Sequence, residues 1–525
     1  MAGKISAEEL RSTLEGKTPF ALIDVREPAE YNSSHIPGSS LIPRRLLEFQ
    51  MTAAVPYKGA HVVLCDDDQR RATLAAATLE RMGYSQVSVL DGGINRWVSR
   101  DHPTEWGSNV PSKDFGEKME VVHHVPEIDA TELHHWQERG DKLVILDTRT
   151  PEEYQRFCIP GGRSIPGGEL ALRITDITKD LDDDTTVVIN CAGRTRSIIG
   201  TRMLQRMGIN NVVGLKNGTS GWVLAGYQLE SGADRLGMPA PTPEGLAAAE
   251  GYADRLAAED GVRYLDVTAL HRMMEKQDDE TIYLIDVRTE EEYRAGHIPG
   301  FRWFPGGQVV QRSDDVAVVH NSTVIFACDG KARATFAASW YRQLGFQEIY
   351  AVAGGATAWT AIGQDLEKGM SATPVFGERE ARGKVRLISP QELQESPPPL
   401  TIFLDTSQDF ARGHVPGAQW LSRSWLELRI GDLAGSKDSP IAVTCTDGRT
   451  SILGGAALVE LGYRDIRVLE GGMAAWRRAA LPVETGLSGI MTPPADVMYS
   501  GPDRNYADMM NYLRWETALG EKYAK

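Results

Sequence analysis

Four of the five cysteines in this 525-residue chain stand in the same setting. Cys65, Cys191, Cys328 and Cys445 each close an apolar run and precede a short polar loop and a helix-forming stretch. A strand that turns tightly into a helix aims backbone N–H groups at whatever sits on the turn. The partial positive charge of the helix start favours a thiolate over a thiol. A thiolate is a nucleophile, and the same N–H groups can hold the anion it becomes after taking up sulfur. In open α/β sheets this is also where ligands bind, beyond the carboxyl ends of the strands.

The four loops differ in chemistry. CAGRTRS, from Cys191 to Ser197, has a glycine for a tight turn, two arginines and a hydroxyl. CTDGRTS, from Cys445 to Ser451, has Gly448, Arg449, Thr450 and Ser451. CDGKARA offers Gly330, Lys331 and Arg333 after Cys328 but has no hydroxyl. CDDDQRR places three aspartates after Cys65, and like charges there oppose a thiolate and repel an anionic substrate. The expected order of competence is Cys191 and Cys445, then Cys328, then Cys65.

Other repeated residues read as structural. Asp24, Asp147 and Asp286 are followed two residues on by Arg26, Arg149 and Arg288, as in buried ion pairs; Asp405 has Ser407 instead. Trp97, Trp222, Trp359 and Trp476, with the glycines before them, read as packing and turn residues. Cys158 stands where the other copies have His35, His297 and His414, and reads as a neutral replacement. The pairs His123–His124 and His134–His135 show no third ligand at a telling spacing, so no metal is expected.

These residues recur because the chain repeats itself four times. Each copy opens on an apolar strand ending at the aspartate, passes a turn (HIPG, CIPG, HIPG, HVPG), and reaches its cysteine 41, 44, 42 or 40 residues on. The tryptophan follows the cysteine by 32, 31, 31 and 31 residues. Strands alternating with helices predict an α/β fold, each copy a parallel sheet flanked by helices on both faces. The expected boundaries are 1–110, 125–232, 260–368 and 384–486, with a tail over 487–525 packed as a strap on another domain. The Pro- and Gly-rich segment LGMPAPTPEG at 236–245 is expected to divide the chain into two pairs of repeats.

With 56 basic against 72 acidic residues the formal charge is −16, which argues against nucleic acid and anionic membranes as partners. The opening segment has no signal-peptide core, and no apolar stretch reads as a membrane span. Five cysteines without a CxxC pair fit reduced thiols and a cytoplasmic protein rather than a disulfide framework or structural zinc.

The run DVR, EY and GHIPG, then strand, cysteine, six-residue loop and helix, then GG and Trp, resembles the rhodanese domain over nearly the whole chain. The resemblance implies a sulfurtransferase in which a loop cysteine takes the sulfane sulfur of thiosulfate or a similar donor as a persulfide. The sulfur would then pass to cyanide, a thiol or a protein acceptor, with no cofactor. Carried onto this chain, it makes Cys191, Cys445 and Cys328 the persulfide sites. Arg194, Arg196, Ser197, Lys331, Arg333, Arg449, Thr450 and Ser451 would bind the donor. Rhodanese repeats also occur as inactive partners.

Three rivals stand beside this reading. A mercaptopyruvate sulfurtransferase would be expected to have small uncharged loops. A cysteine phosphatase would need Cys-x5-Arg, matched formally by Cys65 and Arg71 while the equivalent positions elsewhere are Ser197, Ala334 and Ser451. A scaffold or persulfide relay would use the repeats to bind partners or pass sulfur between sites.

Overall fold

The computed structural model of the protein describes residues 2–371 and 373–524. Each repeat builds one parallel sheet around two largely buried central strands, the pattern of a sheet covered on both faces. In the second repeat the spatial order is Glu127–Ile128, Val212–Leu215, Thr186–Asn190, Leu143–Asp147, Arg163–Ser164. The third and fourth repeats follow the same order. The first adds a strand: Val319–His320 runs antiparallel along Phe20–Ala21, and the His320 ring stacks on Phe20 at 4.7 Å.

The repeated tryptophans are packing residues. Each is buried, and each indole N–H donates to the carbonyl six residues on: Trp97 to Pro103, Trp222 to Gln228, Trp359 to Asp365 and Trp476 to Pro482, at 2.7–2.9 Å. Arg26, Arg149 and Arg288 clamp Asp24, Asp147 and Asp286 through paired hydrogen bonds, with closest contacts of 2.8, 2.7 and 2.6 Å. Each guanidinium also donates to the carbonyl of Ser34, Phe157 or Gly296, tying the strand end to the following turn.

The repeats do not pair in chain order, which corrects the expectation drawn from the 236–245 segment. One compact unit holds residues 2–108, 318–320 and 373–498, so the first repeat packs with the fourth. The other holds 109–317, 321–371 and 499–524, so the second packs with the third. The 236–245 segment lies inside this second unit and leads into the helix Pro243–Asp260. That helix buries Ala249, Tyr252, Ala253 and Leu256, spacing that makes one face. Tyr252 donates to Met203 O of the second repeat at 2.9 Å and packs on Phe336 of the third.

The C-terminal segment divides between the units. Up to residue 498 it runs along the fourth repeat, where Met491 N–H donates to Trp420 O and Asp496 accepts from Ser407 N–H. The helix Tyr506–Ala518 packs in the other unit, on the second repeat.

Candidate functional site

Strand register, rather than residue type, identifies the equivalent loop positions. In each repeat one backbone N–H bond crosses from the first central strand to the last residue of the second: Val25 to Cys65 O, Thr148 to Asn190 O, Val287 to Ala327 O and Leu404 to Thr444 O. The next residue begins the loop, and its carbonyl accepts from Ile94, Thr219, Ala356 or Met473. The loop position is therefore Asp66, Cys191, Cys328 and Cys445. Cys65 is a strand residue, one place short, which corrects the expectation of four cysteines in register.

A recurring glycine closes each loop. Gly93, Gly218, Gly355 and Gly472 have φ of +62°, +52°, +50° and +54°. A Cβ there would lie 2.1–2.4 Å from the carbonyl oxygen of Asp66, Cys191, Cys328 or Cys445, so no other residue fits.

The Cys445 loop forms a cradle around its sulfur. The sulfur accepts N–H bonds from Gly448 at 3.1 Å and Ser451 at 3.3 Å. The thiol lies 3.3 Å from Ser451 Oγ, whose hydroxyl donates to Gly448 O. Arg449 is half-exposed, 3.4 Å from Glu378 and against the Phe49 ring, and Thr450 is half-buried in the first helical turn. Burial, and next the carboxylate of Asp405, push the Cys445 thiol up to about 12, against the pull of the Ser451 bonds. The expectation of a thiolate favoured by the helix start is thus opposed by desolvation of the buried thiol.

Cys328 accepts from the Ala334 and Gly330 N–H groups, yet burial and Asp329 push it to about 12 as well. Its basic neighbours are engaged. Arg333 is buried against Glu169, Glu292 and Asp329 at 2.7–2.8 Å, and Lys331 pairs with Asp254 at 2.7 Å.

Cys191 is 2% exposed, 3.5 Å from Ser197 Oγ. Its arginines are engaged too: Arg194 with Glu117 at 2.6 Å and Glu127 at 3.3 Å, Arg196 with Glu153 at 2.7 Å. The helix Tyr506–Ala518 lies on this loop. Glu516 accepts from Thr195 Oγ1 at 2.9 Å, and a Cβ on Gly193 would lie 3.4 Å from Glu516 Oε2 and 3.8 Å from the Tyr512 ring. Sequence reasoning missed this cover.

In the first repeat the Asp66 carboxylate fills the cradle. It accepts from the N–H groups of Gln69 at 2.5 Å, Arg71 at 2.7 Å and Ala72 at 3.4 Å. Gln69 and Ala72 stand three and six residues past the loop position, as Gly448 and Ser451 do past Cys445. Arg71 pairs with Glu30, the counterpart of Arg196–Glu153 and Arg333–Glu292, so this cation is a brace in three repeats. Cys65 is raised well above an ordinary thiol by burial and Asp24. The sequence signal was the odd spacing of 32 from Cys65 to Trp97; from Asp66 it is 31, as elsewhere.

Register also corrects the fourth repeat. Phe403 pairs with Thr444 as Asp286 pairs with Ala327, and the Asp405 carbonyl accepts from the Trp420 indole as the Arg288 carbonyl does from Trp303. Phe403 therefore replaces the aspartate of the other repeats, and Asp405 replaces the arginine. Its Oδ2 accepts from Thr446 N–H, beside Cys445, at 2.7 Å.

The rhodanese-like domain family matches residues 6–100, 129–225, 266–362 and 390–479, most of the chain. The chain belongs to the rhodanese-like family. A solved structure, the thiosulfate sulfurtransferase of Pseudomonas aeruginosa, is 36% identical and superposes with a TM-score of 0.90 over 99% of this chain and 98% of its own. The Mycobacterium tuberculosis protein named "Probable adenylyltransferase/sulfurtransferase MoeZ" is 36% identical over 100 residues, 19% of this chain and 25% of that protein. The centrosomal protein of 41 kDa of Gallus gallus is 36% identical over 83 residues, 14% of this chain and 23% of its own length. Such matches span about a quarter of these curated relatives, one rhodanese-like repeat's worth. Among the described residues no helix is long and apolar enough to cross a membrane, and no cluster of three His, Cys, Asp or Glu is placed to hold a metal ion.

Proposed function

We propose that the protein is a sulfurtransferase that carries sulfane sulfur as a persulfide on Cys445, with Cys191 and Cys328 as further carriers. The cradle of Gly448 and Ser451 N–H groups around the Cys445 sulfur carries this reading. The Cys445 thiolate attacks the sulfane sulfur of thiosulfate; the S–S bond breaks, and sulfite leaves with the electron pair. The persulfide anion then sits where two N–H groups already point, and preorganised donors cost nothing to turn. Arg449 attracts the anionic donor, and Ser451 and Thr450 offer hydroxyls beside it. A thiol or cyanide removes the sulfur. The structural relative that acts as a thiosulfate sulfurtransferase supports the choice of donor. The filled cradle at Asp66 supports a non-catalytic first repeat, and a cytoplasmic setting suits the thiol chemistry.

The test is to incubate the reduced protein with thiosulfate and locate added sulfur by peptide mass spectrometry. Sulfur on Cys445 that cyanide removes is the expected result, with less on Cys191 and none on Cys65. No added sulfur on any loop cysteine, from thiosulfate or mercaptopyruvate, would overturn the reading.

A further inference from the structure

The arginine-to-aspartate exchange at position 405 has a chemical consequence. In three repeats this site holds a guanidinium locked to an aspartate two residues before it. In the fourth the partner is Phe403, so no acid remains for a cation to clamp, and the side chain is itself a carboxylate. It is half-buried, and Oδ2 holds the first N–H of the Cys445 loop. Asp447 is the other carboxylate near the sulfur, at 3.9 Å; it too accepts a loop N–H, from Arg449, but it is exposed where Asp405 is half-buried.

We infer that Asp405 is the proton acceptor for the thiol that takes sulfur from Cys445. This rests on the sulfurtransferase reading and adds the acceptor class, a protonated thiol rather than a ready-made anion. The step balances: the acceptor S–H gives its proton to Asp405, and the new thiolate attacks the terminal sulfur of the Cys445 persulfide. The bond between that sulfur and Cys445 Sγ breaks. Its electron pair stays on Cys445, which takes the proton back from Asp405. The acceptor leaves as a persulfide, and nothing is oxidised overall. A leaving thiolate whose own thiol lies near 12 is strongly basic, so a proton held beside it favours this direction.

The experiment compares the full-length protein with Asp405→Asn. After loading with thiosulfate, transfer to a neutral thiol such as 2-mercaptoethanol is expected to slow by about a hundredfold at pH 7. The deficit should shrink as pH rises towards the acceptor's own pKa, where solution thiolate needs no base. Cyanide brings no proton, so its reaction should change less than about threefold. Alkylation of unloaded Cys445 should instead become faster, because a negative charge beside the thiol is gone; alkylation of Cys328 reports that the protein is still folded. Unchanged thiol transfer in a loaded variant, or equal slowing with cyanide, would overturn the inference. Failure of the wild-type protein to load Cys445 would instead overturn the sulfurtransferase reading on which it rests.

Discussion

At the scale of single residues, the fate of each loop turns on what occupies the anion cradle. A sulfur fills it in the fourth repeat and a carboxylate in the first, with the same loop N–H positions donating to both. Substituting Asp66→Cys is therefore expected to let position 66 take up sulfur, about tenfold slower than Cys445 because Asp67 and Asp68 stay. Mapping sulfur by mass spectrometry checks this; a variant that gains no sulfur at position 66 would show that the cradle alone is insufficient. The thiol of Cys445 makes a separate prediction. Burial holds it near 12, so the thiolate is scarce at neutral pH and grows tenfold per pH unit. Its alkylation rate should climb with that slope from pH 7 to 10, and a plateau near pH 7 would contradict the buried, acid-flanked geometry. The loop cysteines, the Asp–Arg clamps and the structural tryptophans were all readable in the sequence, because type and spacing suffice for local contacts. Register was not: the strand-end Cys65 and the displaced Asp405 imitate the repeat pattern by one and two residues. Pairing of Arg196 with Glu153 also escaped, since its partner lies 43 positions upstream.

At the scale of elements, the C-terminal helix sets the Cys191 loop apart from the others. The sequence places Cys191 beside Cys445, whereas the structure lays Tyr506–Ala518 across the Cys191 loop. The cover is not perfectly satisfied: Glu516 is 1% exposed, and its Oε2 has no hydrogen-bond partner among the described residues. Such an oxygen costs on the order of 1–3 kcal/mol or more. The other carboxylate oxygen of Glu516 holds the Thr195 hydroxyl, and its charge faces Lys113 and Arg504. Glu516→Gln keeps an acceptor for Thr195 and is expected to hold alkylation of Cys191 close to the wild-type rate. Glu516→Lys, which sets a cation near Lys113 and Arg504, should lift the helix and speed alkylation severalfold. Rates at Cys445, in the other unit, should stay constant in both variants. Equal Cys191 rates in the two variants would mean that the helix does not limit access. That the tail straps onto another domain was readable from its composition; which loop it covers was not, because that depends on Thr195 and Gly193 meeting residues more than 300 positions away.

At the scale of the whole molecule, the two units solve one packing problem in opposite ways. The N–H groups of Arg44, Gly167, Gly306 and Arg423 all donate to the residue just past the aspartate strand, so these four positions are equivalent. In the second unit they are glycines. A Cβ on Gly168 would come within 2.8 Å of Gly306 Cα, and a cavity of about 170 Å³ lined by Thr150, Pro166, Thr289, Trp303 and the glycines lies at the crossing. In the first unit arginines fill the place. Arg44 makes a paired contact with Glu427 at 2.7 and 2.8 Å, and Arg423 reaches the same carboxylate at 2.8 Å and Glu48 at 3.8 Å. Pairing of the first repeat with the fourth was invisible in the sequence, since a linker's composition says where a chain is exposed and not which domain it returns to. Burial alone would raise Glu427, but Arg423 and Arg44 outweigh it and bring the carboxyl down to about 2. A folded value below the unfolded one means that this stabilisation is complete above about pH 4.5 and is lost as pH falls towards 2. Removing the carboxylate leaves two buried guanidinium groups facing each other without their shared partner, a loss of about 3–5 kcal/mol. Glu427→Ala should accordingly lower a calorimetric transition by roughly 10 °C at neutral pH. The gap between variant and wild type should narrow as the wild type is acidified through that window. A variant that melts with the wild type at pH 7 would show that the arginines are held by solvent or by Glu48 instead, and that charge does not cement this pair of repeats.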